Sequence, residues 1–321
     1  MSLTAVIVTY NRLAALQNTV RRTLAEAVDA VVVVNNASTD GTKAWLDEFA
    51  AQEKRLIVVH LASNQGGAGG FAQGIRVGLA QTNSDWLVLY DDDAYPKAGA
   101  FNAFSALDKN FDAAAAAVYQ PDGAICEMNR PSFNPFWHAE KFKAVVRQMM
   151  RFQNPRQAFH ITDQQYRAEQ AVKIDSSSFV GLFMQRSWAE KMPTPDPRLF
   201  IYGDDILYTL NLTAAGGRHC FLPAVSFIHD TKTMAQSVQF YRPRWKSYFH
   251  YRNLMLIYRL AAGKWFYAVA ALKIAQWSFS CLRHRQGWAL MTIIWQASYA
   301  GITRNLSASP QEIIKRYQHL D

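Results

Sequence analysis

Only three cysteines occur in the 321 residues, Cys126, Cys220 and Cys281, widely spaced and odd in number. That count fits neither a disulfide framework nor a clustered zinc site and points to a reducing compartment. A long uncharged apolar run is also missing. The nearest approach, Gln286 to Thr303, has about the minimum length for crossing a bilayer but contains Gln286, Gln296, Ser298 and two glycines, so surface helices suit it better than a span. The opening MSLTAVIVTYNR has no basic region, apolar core or small-residue cleavage site of a secretory signal and reads as one buried strand. Acidic residues are scarce at one end only. From Tyr241 onward twelve Lys or Arg face two acids, Glu312 and Asp321, whereas the preceding residues carry 22 basic and 23 acidic side chains. The excess positive charge therefore belongs to the last quarter, a pattern that separates two functions.

Half of the residues are hydrophobic, enough for a substantial core. Apolar, β-branched runs at 3–9, 30–35, 56–61 and 86–90 alternate with helical stretches near 12–28, 40–54 and 69–82. Such a βαβ series predicts an α/β fold with a mostly parallel sheet covered by helices. In these sheets ligands collect beyond the carboxyl ends of the strands. The polar motifs TYNR, NNASTDG, ASNQGGAGG and DDDA all fall at those ends.

An apolar strand runs directly into Asp91, Asp92 and Asp93. Three adjacent carboxylates repel one another unless a cation, strong donors or bulk water compensates. Asp91 and Asp93 can turn to one side of extended backbone while Asp92 points elsewhere, and such a pair suits Mg²⁺ or Mn²⁺. In NNASTDG, Asp40 can favour a helix N-terminus or accept from a base N–H. The glycines of NQGGAGG allow close approach of backbone to a ligand ahead of a helix at Phe71, or simply a tight turn. Asp204 and Asp205 follow Gly203 at a helix start, where one carboxylate can cap and the other face a crevice. His229 closes an apolar run and can be a third metal ligand or a hydrogen-bonded strand-end side chain. In RPRWKSYFHYRN, Arg242, Arg244, Lys246 and Arg252 offer cations to a diphosphate or to lipid.

The tail from Lys264 to Arg304 sets Trp265, Trp277, Trp288 and Trp295 among aliphatic and basic residues. Helices lying on an anionic membrane surface fit this composition, as does a helical subdomain packed on the main domain or on a second copy of the chain. Nucleic acid is not an expected partner, because the charge travels with a large apolar load and no reading motif.

The order of VIVTYNR, VVNNASTDGT, NQGGAGGFAQG, YDDDA and GDDILYTLNLTAAG with a following His, over about residues 1–255, resembles a family 2 glycosyltransferase of the GT-A type. NQGGAGGFAQG, DDDA and FHYRN are most similar to the bacterial galactofuranosyltransferase branch. The resemblance implies a Rossmann-like GT-A catalytic domain over residues 1–240 and a basic, aromatic helical region over 241–321 for membrane surface or subunit contact. It implies that Thr9, Tyr10, Arg12, Asn36 and Asp40 line the uridine side of a UDP-sugar pocket, with Asn64, Gly69, Gly70 and Arg252 also on the donor side. Asp91 and Asp93 of the DXD-type block would hold Mn²⁺ or Mg²⁺ with His229, and Asp92 would face the donor sugar or ribose. Asp205 would be the catalytic base and Asp204 an acceptor contact; residues 175–187 would carry the acceptor wall. The implied reaction is inverting, metal-dependent transfer of galactofuranose from UDP-galactofuranose to a lipid-linked glycan such as an O-antigen galactan. It would take place on the cytoplasmic face of the bacterial inner membrane. Transfer from dTDP-rhamnose or a UDP-hexopyranose is the competing enzymatic expectation, and a membrane-associated binding protein on a transferase fold is the non-enzymatic one.

Overall fold

The computed structural model describes residues 1–231, 241–282 and 287–320. The expected domain boundary at residue 240, and Gln286 at the head of the uncharged run, lie outside them. The first half follows the expected alternation: β1 (Leu3–Thr9), α1 (Leu13–Leu24), β2 (Ala30–Asn35), α2 (Thr42–Gln52), β3 (Leu56–His60), α3 (Gly66–Gln81) and β4 (Trp86–Asp91). These four strands pair in parallel in the order β3-β2-β1-β4. Alternate residues of one strand enter opposite layers, as the pleat requires. Ala5 and Ile7 pack with Leu16 and Val20 of α1, whereas Val6 and Val8 pack with Phe71 and Ile75 of α3.

The chain continues through β5 (Ala94–Pro96), α4 (Ala100–Ala106), β6 (Ala113–Tyr119), α5 (Ala139–Met150), α6 (Asp163–Tyr166), β7 (Val172–Lys173), β8 (Leu182–Gln185), α7 (Arg186–Lys191), α8 (Asp204–Ala214) and β9 (His219–His229). β8 joins β4 antiparallel, and β6, β9 and β5 extend the sheet beyond it. The sheet is thus mixed. Its longer pairings are parallel, and its antiparallel ones are two to four residues long. Of the segment 175–187, only Leu182–Gln185 is strand, buried between β4 and β6. It is a central strand, whose run of apolar side chains is covered on both faces.

Four further helices close the chain: α9 (Trp245–Ala262), α10 (Phe266–Leu282), α11 (Gly287–Ile302) and α12 (Pro310–Tyr317). Tyr248, Phe249 and Tyr251 of α9, Ile293, Ile294 and Ala297 of α11 and Ile313 of α12 share one core. α10 has only Phe266, Ala270 and Cys281 buried, leaving Tyr267, Leu272, Phe279 and Leu282 exposed beside Trp288, Trp295 and Tyr299 of α11. The region is therefore packed through α9, α11 and α12 and leaves apolar side chains of α10 and α11 exposed. Among the described residues no helix is long and apolar enough to cross a membrane, and all three cysteines are free.

Candidate active site

The strand order sets the position of the site. From β1 the chain winds outward through β2 and β3, then returns to β4 on the other side of β1. The carboxyl ends of β1 and β4 therefore flank a switch point, the usual ligand crevice of such sheets. Val8 is paired with Asp91 in register, so TYNR and the three carboxylates lie side by side.

Asp92 ties these two ends together. Thr9 Oγ1 and the Tyr10 amide donate to Asp92 Oδ2 at 2.7 and 3.3 Å, and Arg12 Nη1 lies 3.5 Å from Oδ1. Burial pushes the Asp92 carboxyl up to about 6, opposed by the Thr9 hydrogen bond and the charge of Arg12. Asp93 turns the other way, accepting from Arg12 Nη1 on Oδ2 and standing 3.2 Å from His229 Nε2 through Oδ1. The topology accounts for the approach of His229, more than 130 residues distant: β5 starts directly after the carboxylates and pairs antiparallel with the end of β9, Ala94 opposite His229. Asp91, Asp93 and His229 each offer one ligand atom within 4.8 Å of the others. Two carboxylate oxygens and an imidazole nitrogen suit Mn²⁺ or Mg²⁺, and among the described residues nothing hydrogen-bonds the Asp91 carboxylate. Burial, with the Asp93 charge adding, raises Asp91 to about 7. Burial also acts to raise Asp93, but the His229 hydrogen bond and the charges of His229 and Arg12 outweigh it and hold Asp93 below the usual carboxylate range.

Asn129 was not among the expected site residues. Its Oδ1 lies 2.7 Å from His229 Nδ1, and its Nδ2 donates to Ser178 Oγ at 2.9 Å. An amide oxygen can only accept, so Nδ1 carries a proton. Burial acts to lower His229, but the hydrogen bond and charge of Asp93 outweigh it and push it up to about 10, so Nε2 also donates, to Asp93, and would have to lose that proton to ligate a metal. Nothing in the local sequence signals the Asn129 contact; the pairing spans 100 residues.

On the β2 side, two loops brace each other. Asn11 N donates to Ser38 Oγ at 2.9 Å, Thr39 N to Asn11 Oδ1 at 2.7 Å and Leu13 N to Asp40 Oδ2 at 2.9 Å. Asp40 also accepts from Thr42 N and Oγ1, so it supports the starts of both α1 and α2. Asn36 is spent on backbone: Oδ1 accepts from Gln65 N and Nδ2 donates to the Gly66 carbonyl, both at 2.8 Å. Tyr10 is 45% exposed at the rim.

The glycine block differs from expectation. Its helix starts at Gly66, so Gly69 and Gly70 lie buried in the first turns of α3 rather than in a loop before Phe71. Asn64 Oδ1 accepts from Gly66 N, and Ala68 N donates to the Phe200 carbonyl, satisfying amides that a helix start leaves free. A Cβ at Gly70 would meet Val8 Cγ1 at 2.4 Å, and one at Gly66 would stand 2.0 Å from Phe200 O. The glycines bring α3 onto β1 and admit the 198–203 loop.

That loop delivers the second carboxylate pair. Phe200 and Tyr202 hold left-handed φ of 65° and 66°, costly for bulky residues. Asn253 of α9 holds them there: its Nδ2 donates to the carbonyls of Leu199, Ile201 and Tyr202 at 3.0, 3.0 and 2.8 Å. Arg252, fully buried, donates to the carbonyls of Arg198 and Leu199. Arg252 is therefore no donor-facing cation. Extended sequence suggested a free guanidinium, but helix phase turns this one inward, where burial lowers it to about 10. Lys246, the second residue of α9, is depressed by burial and then by the charge of Arg12. Asn253→Ala should destabilise the fold by about 2–4 kcal/mol, since buried carbonyls lose donors, and should lower kcat more than it raises KM. Thermal melts with steady-state kinetics test this; a parent-like melting temperature and kcat would remove Asn253 from a positioning role.

Gly203 then turns the chain into α8 with φ 77°. Asp204 is raised well above its ordinary value by burial, then by the charges of Asp205 and, further off, Asp91. Burial raises Asp205 to about 6, and its charge is felt at Asp91. Asp204 Oδ2 lies 3.9 Å from where a Cβ at Gly67 would stand, so this carboxylate faces the first turn of α3. The rings of Tyr202 and Tyr241 pack with centroids 4.7 Å apart.

Residues 4–168, just over half of the chain, match the sequence family described as Glycosyl transferase family 2. The chain belongs to that family. Its fold is of GT-A type. An undecaprenyl-phosphate mannosyltransferase of Micrococcus luteus is 38% identical over 95 residues, 29% of this chain and 38% of that protein. The crystal structure of GalNAc-T7 with UDP, GalNAc and Mn²⁺ superposes at TM-score 0.58 and 13% identity, covering 99% of this chain and 58% of that one. The mannosyltransferase PcManGT of Pyrobaculum calidifontis, in complex with GDP-Man and Mn²⁺, superposes at TM-score 0.53 and 16% identity, with coverage of 95% and 87%. The chain spans well under two thirds of the first two relatives.

Proposed function

We propose that this chain is an inverting, metal-dependent transferase that moves galactofuranose from UDP-galactofuranose to a lipid-linked glycan. The observation that carries the reading is the cluster of Asp91, Asp93 and His229 at the carboxyl end of β4, beside the β1/β4 switch point. A divalent cation held by Asp91, Asp93 and His229 would supply charge neutralisation and Lewis-acid polarisation of the donor diphosphate. Arg12 and Lys246 add fixed positive charge beside it. Thr9, Tyr10 and Asp40 form the base side, with Asn36, Asn64, Gly69 and Gly70 shaping it from behind. Asp92 holds Thr9 and Tyr10 at the pocket wall. Asp205, with its carboxyl near 6, is ionised at neutral pH yet basic enough to take the proton of an acceptor hydroxyl. Asp204, raised well above its ordinary value by burial, orients the acceptor.

The sugar assignment rests on NQGGAGGFAQG, DDDA and FHYRN. Two of these blocks, remote in sequence, grip the same loop: Ala68 N reaches the Phe200 carbonyl, and Arg252 and Asn253 hold its neighbours. Residues 1–240 would carry catalysis. The exposed aromatics of α10 and α11 would rest on the anionic inner face of a bacterial inner membrane, where lipid-linked acceptors reside, or meet a second copy of the chain. The test is a donor panel of UDP-galactofuranose, UDP-hexopyranoses, GDP-mannose and dTDP-rhamnose offered with lipid-linked acceptors, product mass and linkage being determined. Selective transfer from UDP-galactofuranose is expected; selective use of another donor replaces the sugar, and no turnover of any donor favours a binding role.

A further inference from the structure

The site does not use α5. None of its twelve residues is buried. Its exposed apolar side chains, Phe142, Val146, Met149 and Met150, are spaced i, i+4, i+7 and i+8 and form one stripe along the helix. Lys143, Arg147 and Arg151 recur every fourth residue and run beside that stripe, also exposed; Glu140, paired with Lys143, is the one acid of the helix. The opposite side, through Lys141, Ala144, Val145 and Gln148, is partly covered by the protein. Met150 is 70% exposed and Phe152, in the turn that follows, 99%. Asn134 Nδ2 donates to the Ala261 carbonyl at 3.1 Å, tying the strand of chain before α5 to the end of α9, just ahead of exposed Trp265 and Tyr267.

An apolar row bordered by cations fits an occupant with an anionic surface over an apolar interior. We propose that α5 is an interfacial helix that sets Phe142, Val146, Met149, Met150 and Phe152 at the acyl boundary of an anionic lipid bilayer, with Lys143, Arg147 and Arg151 against lipid phosphates. The inference adds an anchor to the membrane part of the preceding reading and is independent of the donor sugar. It predicts that the catalytic domain itself, and not the C-terminal helices alone, fixes the crevice relative to the membrane.

The test is co-sedimentation of the full chain with phosphatidylcholine vesicles, with and without phosphatidylglycerol, at low and high salt. Replacing Lys143, Arg147 and Arg151 together by Gln should weaken partition to anionic vesicles about 100-fold, from the usual contribution of each basic residue near such a surface, with little change on neutral ones. Phe142→Asp and Met149→Asp should weaken both. All five positions are exposed, so melting temperature and turnover with a lipid-free acceptor should stay at parent values. Parent-like partition of the α5 variants, with loss only on Trp288→Asp in α11, overturns the proposal. So does a fall in particle mass by light scattering with unchanged partition, which would make the stripe a subunit contact. Absence of vesicle binding by the parent also overturns it, and donor turnover in the same preparation then leaves the transferase reading standing.

Discussion

Asp205→Asn is expected to slow sugar transfer by about 10²–10⁴-fold, the usual worth of a positioned general base, with donor affinity nearly unchanged. The amide keeps the shape of the carboxylate, including an oxygen able to accept from Ile206 N as Asp205 Oδ1 does at 2.7 Å, but it cannot take a proton. Because burial raises the Asp205 carboxyl to about 6, the parent's kcat should fall as pH drops through about 6, where the base becomes protonated. It should level off above. The pH profile at saturating metal and donor, together with donor binding by calorimetry, checks both statements. Loss of donor affinity with an unchanged rate at saturation would move Asp205 into the binding shell. A larger loss in Asp204→Asn, with donor binding intact, would exchange the roles of the pair.

Asp91→Ala and Asp93→Ala, tested separately, should each abolish metal-dependent transfer and direct Mn²⁺ binding followed by electron paramagnetic resonance. Stability supplies a second readout. Mn²⁺ at about a hundred times its Kd should stabilise the parent by about 2.7 kcal/mol, and this increment should vanish in both variants. Without metal the two changes should differ. Asp91 has no hydrogen-bond partner among the described residues and is raised by burial and by its neighbour's charge, so its removal relieves repulsion and leaves the metal-free fold at least as stable. Asp93 joins Arg12 to His229, so its removal strands two buried or half-buried donors and lowers stability. Near-normal transfer by either variant without added metal would refute the metal assignment.

Much of the first half was legible because its strands are short, continuous apolar runs and polar loops follow each of them. β1 and β2 fall on the expected residues, and β4 runs one residue into the acidic block. The helices were harder to bound. α3 starts three residues before the periodicity suggested, since Phe200 and Asn64 satisfy amides that glycine-rich sequence alone would leave open. Arg252 misled for a related reason: a basic residue in a basic segment reads as exposed, and only helix phase against a loop some fifty residues earlier shows otherwise.

The sequence by itself determined the alternating α/β order, the placement of every acidic motif at a strand end or helix start and the concentration of positive charge in the last quarter, because each follows from local composition and spacing. Which carboxylates meet was decided by the tertiary structure alone. His229 reaches Asp93 through the antiparallel pairing of β5 with β9, Asn129 holds its ring from another loop, and Asn253 fixes the turn that presents Asp204 and Asp205. Those contacts join residues about 50 to more than 130 positions apart. Local preference carries no information about such partners; hydrogen-bond satisfaction and close packing in the folded chain select them.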